Sequence, residues 1–300
     1  MTSMELGGVT ARPADGLLVS RALDFLAAGP ADARTLVASV CQLPGVPTPV
    51  AEQMVAALLG SHHLVARTAD GRWGLAPSRP GCADEPLAAM QWVVVDVETT
   101  GARADGGDRV TEIAAVVMRG SEIVEVFETL VNPDRSIPPW ITKITNINWA
   151  MVKDAPRFVE IAPRLLQVLD GRIFVAHNAA FDWRFVSAEV ARTTGQMLTG
   201  RQLCTVRLAR KLLPQLRSRS LDYVAAHYGV DNGARHRAAG DAVATARCLG
   251  GLLRDAEDRW GCRSWAELQA AMSATASSTR ARRPRRPSAL PASVTKDTTA

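Results

Sequence analysis

Apolar residues recur at helical spacing in three successive stretches, LLVSRALDFLAA, ADARTLVASVCQL and PVAEQMVAALLGSHH. The period then shortens in LVART and RWGLA, which flank the turn residues ADG, so residues 16–76 read as three helices and a hairpin. A segment rich in Pro, Gly and small residues follows, and residues 77–90 read as a linker. Beyond it the texture changes: QWVVVDV is an apolar run suited to a central strand, RVTEIAAVVMRG a second strand, and SEIVEVFETLVNP alternates as a third. Short turns at 101–108 and 119–121 make these a meander. A helix through 156–169, a strand at 172–177 and a helix from about 180 to 194 come next. A short strand near Leu203 and helices near 206–213, 219–228 and 238–257 complete the pattern. Three meandering strands followed by alternating helix and strand indicate an α/β domain with a mixed sheet over residues 91–258. Residues 1–15 and the stretch after a helix remnant within 259–300 carry no periodicity and are expected to be disordered.

Composition narrows the class without naming a function. Of 300 residues, 47% are apolar and 22% charged, which excludes wholesale disorder and fibrous repeats. No run approaches the roughly 18 apolar residues of a membrane span, and the N-terminus lacks the basic-then-apolar order of a signal peptide, so a cytoplasmic protein is expected. The five cysteines are scattered and never form C-x-x-C, which argues against zinc and against a disulfide framework. The net charge of +5 is unevenly placed. Residues 1–90 carry 6 basic and 8 acidic groups, residues 91–260 carry 22 and 20, and residues 261–300 carry 7 and 2. The basic surplus therefore belongs to the tail, chiefly TRARRPRR, which could add sequence-blind affinity for nucleic acid or be a solvated terminus.

The candidate chemistry lies in carboxylates. In VVVDVETTG, Asp96 and Glu98 end an apolar strand two residues apart, so both side chains leave the same face. Convergent acids on a buried strand repel and lose solvation unless a cation lies between them, and oxygen ligands select a hard ion such as Mg²⁺ or Mn²⁺. For an isolated D-x-E, a strand end with both acids solvated is an equally good reading. In VAHNAAFDWRF, a strand passes into a helix with Asn178 at the cap position and Asp182 in the first turns. Asp182 would share the site if that strand neighbours the first one; the helix dipole alone would also explain an acid there. His177 and Asn178 are substrate contacts or strand-end and cap residues. In ARHRAAGDAVATA, His236 and Asp241 are five apart, about 140° around a helix, so His236 belongs on the preceding loop and Asp241 on the helix.

Three motifs in order, D-V-E-T-T-G at 96–101, H-N-A-A-F-D at 177–182 and H-R-A-A-G-D at 236–241, resemble the DEDDh exonucleases, typified by the proofreading epsilon subunit of bacterial DNA polymerase III. The stretch ITKITNINWAMVKDAP also resembles that family's segment between third strand and first long helix. The resemblance covers roughly residues 91–257 and implies a ribonuclease H-like fold with a five-stranded mixed sheet. It further implies that Asp96, Glu98, Asp182 and Asp241 hold two Mg²⁺ or Mn²⁺ ions and that His236 is the general base. Thr99 and Phe181, with His177 and Asn178, would meet the substrate, a single-stranded or frayed 3′ end of DNA that yields nucleoside 5′-monophosphates in proofreading or repair. An RNA substrate, as in oligoribonuclease-like and RNase T-like relatives, and a catalytically inactive scaffold are the alternatives. The region 16–76 resembles a winged helix, but its third helix offers Glu52 and Gln53 without Arg or Lys, which favours contact with a protein partner or simple packing over DNA reading.

Overall fold

The computed structural model describes residues 7–13, 15–60, 62, 64–76, 85–233 and 237–274. In chain order the first elements are β1 (Thr10–Pro13), α1 (Leu17–Leu26), α2 (Ala33–Val40), α3 (Thr48–Leu59), β2 (Val65–Arg67) and β3 (Trp73–Leu75). The meander β4 (Gln91–Thr99), β5 (Val110–Arg119) and β6 (Glu122–Leu130) follows, then α4 (Pro139–Thr145), α5 (Trp149–Val152), α6 (Phe158–Leu169), β7 (Ile173–Ala176) and α7 (Ala179–Thr194). The chain continues with β8 (Gln196–Thr199), β9 (Gln202–Cys204), α8 (Thr205–Leu212), α9 (Leu221–Tyr228), α10 (Ala238–Trp260) and α11 (Trp265–Ser273). The expected helix, helix, helix and hairpin order of residues 16–76 is present, with its own apolar core around Leu36, Val37, Val55 and Trp73. In α3, Glu52 accepts from Arg67 and from Trp73 Nε1 at 3.3 Å, which ties the helix to the hairpin.

The large sheet has the order β6-β5-β4-β7-β9, antiparallel on one side of β4 and parallel on the other. This is the mixed five-stranded, ribonuclease H-like arrangement, and its two faces are read directly from residue parity. Trp92, Val94, Ala114, Val116 and Val175 form one core with α8 to α11, whereas Val93, Val95, Val97, Ile113, Ala115 and Phe174 form the other with α6 and α7. Strands β4 and β5 are buried on both faces because helices cover both; β6 alternates because it is an edge.

Two expectations are corrected. Within the leader expected to be disordered, residues 10–13 pair antiparallel with β8 as a strand. Gly8 makes this possible, since a Cβ there would lie 2.0 Å from the Gly171 carbonyl oxygen, and Val9 exchanges backbone bonds with Arg172 and Gly171 at 2.7 and 2.8 Å. Nor are residues 85–90 mere linker: Leu87 and Met90 are buried, Pro86 bridges Ser264, and Trp265 of α11 packs against Trp92 at 6.2 Å. The rest of the linker (residues 77–84) and the basic tail (residues 275–300) lie outside the described residues.

One buried ion network sets the position of α7. Glu189, 1% exposed, accepts from Arg109 Nε at 2.8 Å, from the Val110 backbone at 3.1 Å and from Arg192 at 3.0 Å. It lies two helical turns beyond Asp182 and so on the same face of α7. Replacing Glu189 with Ala leaves the partly exposed Arg109 guanidinium and the Val110 backbone N–H without their acceptor, and is expected to cost about 1–3 kcal/mol, read as a lowered urea midpoint. A midpoint unchanged from the parent would show that the network is not what holds the helix.

Candidate active site

Asp96 and Glu98 leave the face of β4 that α10 covers, and Asp241 lies in the first turns of α10, so strand parity and helix packing bring three carboxylates together. One oxygen from each of Asp96, Glu98 and Asp241 lies within 4.8 Å of the others. Asp182 reaches the same strand from the opposite face. Strand β7 pairs with β4 only from Trp92 to Val94 and ends at Ala176, so the β4 backbone beyond this point is open on that side. Asp182 accepts from the freed Val97 N–H at 3.3 Å. The site therefore stands at the carboxyl end of the strands, where the sheet changes from antiparallel to parallel connections.

Electrostatics mark the cluster as strained without a cation. Burial, then the neighbouring charges of Asp182, Glu98, Asp241 and Glu112, pushes the Asp96 carboxyl well above the usual range. Burial lifts Glu98 to about 7, with Asp241 and Glu112 adding to the rise and Arg237 opposing it. Burial raises Asp182 to about 8 against the hydrogen bond from Val97. Carboxylate oxygens in this number, held close and reluctant to ionise together, are a donor set that fits hard divalent ions.

Sequence reasoning missed Glu112 and Arg237. Glu112 pairs across the ladder with Glu98, is itself buried, and accepts from Arg237 Nε at 3.0 Å and from the Ala238 backbone N–H at 2.9 Å. It thus caps the first turn of α10, three residues ahead of Asp241, and brings a guanidinium beside Glu98. Its signal was present: a lone acid in an apolar strand buried on both faces needs a partner.

The remaining expected residues separate. Thr99 is buried, and its hydroxyl donates to the Gly101 carbonyl at 2.6 Å, so its side chain is engaged at the strand end. His177 is held through Nδ1 by Thr205 Oγ1 and through Nε2 by the Arg219 carbonyl, both at 2.9 Å, and burial lowers its pKa. Both ring nitrogens are engaged, so it anchors the end of β7. Asn178 occupies the N-cap position of α7 in a left-handed conformation, φ 100°, without the side-chain cap expected of it. Phe181 packs against Phe185 with ring centroids 4.9 Å apart and tilted by 45°, and carries Arg184 over its ring at 6.0 Å. His236 lies outside the described residues; Asp241 stands in α10 as expected.

Comparison with known proteins gives a family for the part of the chain that carries these acids. A family model described as exonuclease matches residues 93–249, a span that contains all four acids. The chain is 37% identical over 182 residues to DNA polymerase III PolC-type of Caldanaerobacter subterraneus, covering 61% of this chain and 13% of that protein. It is 38% identical over 195 residues to a putative bifunctional exonuclease/endonuclease protein of Mycobacterium tuberculosis, covering 62% of this chain and 30% of the other. Identity to the DNA polymerase III epsilon subunit of Aquifex aeolicus is 33% over 178 residues, 59% of this chain and 88% of that one. The chain thus spans less than a third of the first two relatives.

The raised carboxyl groups carry a sign that can be measured. Without metal the folded protein retains protons on Glu98 and Asp182 that the unfolded chain loses above about pH 4 to 4.5. The native state then binds more protons, so stability is full below about pH 4 and is lost as pH rises through about 7 and 8. In chelator, the melting temperature is expected to fall from pH 5 to pH 8, with Mg²⁺ restoring most at the upper end and Asp182→Asn flattening the decline. A decline unaltered by Asp182→Asn would assign the effect elsewhere.

Proposed function

Since the chain belongs to the exonuclease family, whose model spans its acidic cluster, we propose that it removes nucleotides from the 3′ end of DNA as nucleoside 5′-monophosphates, in proofreading or repair. The observation that carries this reading is the meeting of Asp96, Glu98 and Asp241 within 4.8 Å beside a strand whose open backbone is held by Asp182. These four residues would hold two Mg²⁺ or Mn²⁺ ions, which when bound lower the pKa of a water nucleophile and stabilise a leaving 3′ oxygen. The protein's own groups do the rest. The acids balance the cations, so a phosphodiester anion can approach without net repulsion. Glu112 and Arg237 set the first turn of α10 and with it the aim of Asp241. His236, just ahead of that helix in the chain, accepts the water's proton, a role suited to a near-neutral pKa. The Thr99 backbone and the Phe181 ring contact the terminal nucleotide.

The N-terminal three-helix unit, winged-helix-like in its order, serves on this reading to dock a protein partner. Its third helix spends Glu52 on the hairpin. An apolar cavity of about 370 Å³ lies among Leu18, Val37, Val40, Met54 and Leu58. No helix among the described residues is long and apolar enough to cross a membrane, and a cytoplasmic location is part of the proposal.

Strands labelled at the 5′ end, in DNA and RNA versions and in single and double-stranded form, test the reaction. Stepwise shortening from the 3′ end in Mg²⁺, abolished by chelator and by Asp96→Ala, is expected, with DNA preferred. Full activity of Asp96→Ala would remove the site assignment. His236→Ala is expected to lower kcat by about 10²- to 10⁴-fold while calorimetric Mn²⁺ binding persists. Unchanged turnover would end the general-base role.

A further inference from the structure

Helix α10 carries a buried polar group that the reaction leaves unused. Thr245 is 1% exposed, and its hydroxyl has no hydrogen-bond partner among the described residues. Threonines inside helices ordinarily settle that hydroxyl on the carbonyl one turn back. Others in this chain do so: Thr193 donates to the Glu189 carbonyl at 2.7 Å, Thr194 to Val190 at 2.7 Å and Thr145 to Ile141 at 3.2 Å. Thr245 lies well inside a 23-residue helix, with a carbonyl at the same spacing, and makes no such bond. A buried hydroxyl without a partner is destabilising by about 1–3 kcal/mol, and a valine of nearly the same shape would avoid that penalty.

The course of α10 brings Thr245 to the acids. Asp241 and Thr245 are one turn apart, about 40° around the helix, and share the face laid on the sheet. That face begins over Glu112, which accepts from the Ala238 backbone N–H. By Gly250 it has reached the turn between β5 and β6, where an added Cβ would stand 3.7 Å from Ser121. Helix α10 therefore runs from the acid-bearing end of β4 toward the start of that strand, and Thr245 follows Asp241 inward. On β4 the acid that lies inward of Glu98 is Asp96, paired across the ladder with the short Ala114. Helical side chains lean toward the helix N-terminus, which for Thr245 is the direction of the acids.

Few groups compete for the hydroxyl. Beneath α10 the sheet is apolar at Trp92 and Val94 of β4 and from Ala114 to Met118 on the same face of β5. The acceptor side chains on that face of the two strands are Asp96, Glu98 and Glu112. Glu112 is committed to Arg237 and Ala238, and Glu98 stands beside Arg237 at the outer end. Asp96 remains. A carboxylate that gives one oxygen to a cation keeps its orientation best when a fixed donor holds the other, and a hydroxyl in the core of a long helix is such a donor.

We propose that Thr245 is a positioning residue of the acidic site, its hydroxyl donating to the Asp96 carboxylate when a divalent cation is bound. This rests on the reading of the four acids as a metal site.

The test uses the full chain with Thr245→Val, which keeps the shape and removes the hydroxyl, and Thr245→Ser, which keeps the hydroxyl and removes the methyl. A donor role and a packing role rank these variants in opposite order. Calorimetric titration with Mn²⁺ is expected to give a Kd raised about 10-fold in Thr245→Val and close to wild type in Thr245→Ser. An unchanged Kd in Thr245→Val overturns the proposal. So does a Thr245→Ser variant that binds as weakly as Thr245→Val, the result that lost packing would give. In chelator, Thr245→Val is expected to melt no lower than wild type, because no bond is removed; a lower melting temperature would show the hydroxyl already engaged without metal and overturn the role. On a 5′-labelled DNA strand, Thr245→Val is expected to need about 10-fold more Mg²⁺ for half-maximal rate, with KM for DNA unchanged. A raised KM with an unaltered Mg²⁺ requirement overturns the assignment. A wild type that binds Mn²⁺ but shortens no 3′ end removes the exonuclease reading alone, and the Mn²⁺ titration still judges Thr245. A wild type that binds no Mn²⁺ overturns the positioning role together with the metal site.

Discussion

Carboxylates that converge at the end of a buried strand are costly: burial and mutual repulsion together keep them from ionising freely. In this protein that cost falls on Asp96, Glu98 and Asp182, whose pKa values are all raised. The surrounding structure holds this cluster in place, and a divalent cation bound there would turn the repulsion into affinity.

Three devices oppose the tendency of the acids to separate. The antiparallel pairing of β4 with β5 sets Glu98 opposite Glu112, and Glu112 in turn carries Arg237 and the first backbone N–H of α10. The early end of β7 frees a backbone donor for Asp182. Two turns further along α7, Glu189 is clamped by Arg109 and Arg192, so the helix cannot rotate Asp182 away. A compensating positive charge beside Glu98 lowers the repulsion without filling the site, since the Arg237 guanidinium is committed to Glu112.

Much of the catalytic domain was legible because parity and period are local properties. The alternation in SEIVEVFETL marks an edge strand, the unbroken apolar run in QWVVV a central one, and D-x-E two acids on one face. What escaped were pairings between distant segments. β1 has no apolar periodicity, and its partner lies 189 residues away, with Thr10 opposite Thr199. Leu87 and Met90 sit in a stretch with the composition of a linker, yet find their core in α11. Asn178 has the residue type of a helix cap but uses its tolerance of positive φ instead.

The sequence by itself determined the fold class, the chain order of the main strands and helices and the candidate acids, because strand parity and helix onset follow from neighbouring residues. Only the tertiary structure decided that Asp182 approaches β4 from the face opposite Asp241, that His177 is an anchor, and that Glu112 belongs with the site. Those facts depend on which strands become neighbours, and strand adjacency is settled by packing across the whole sheet.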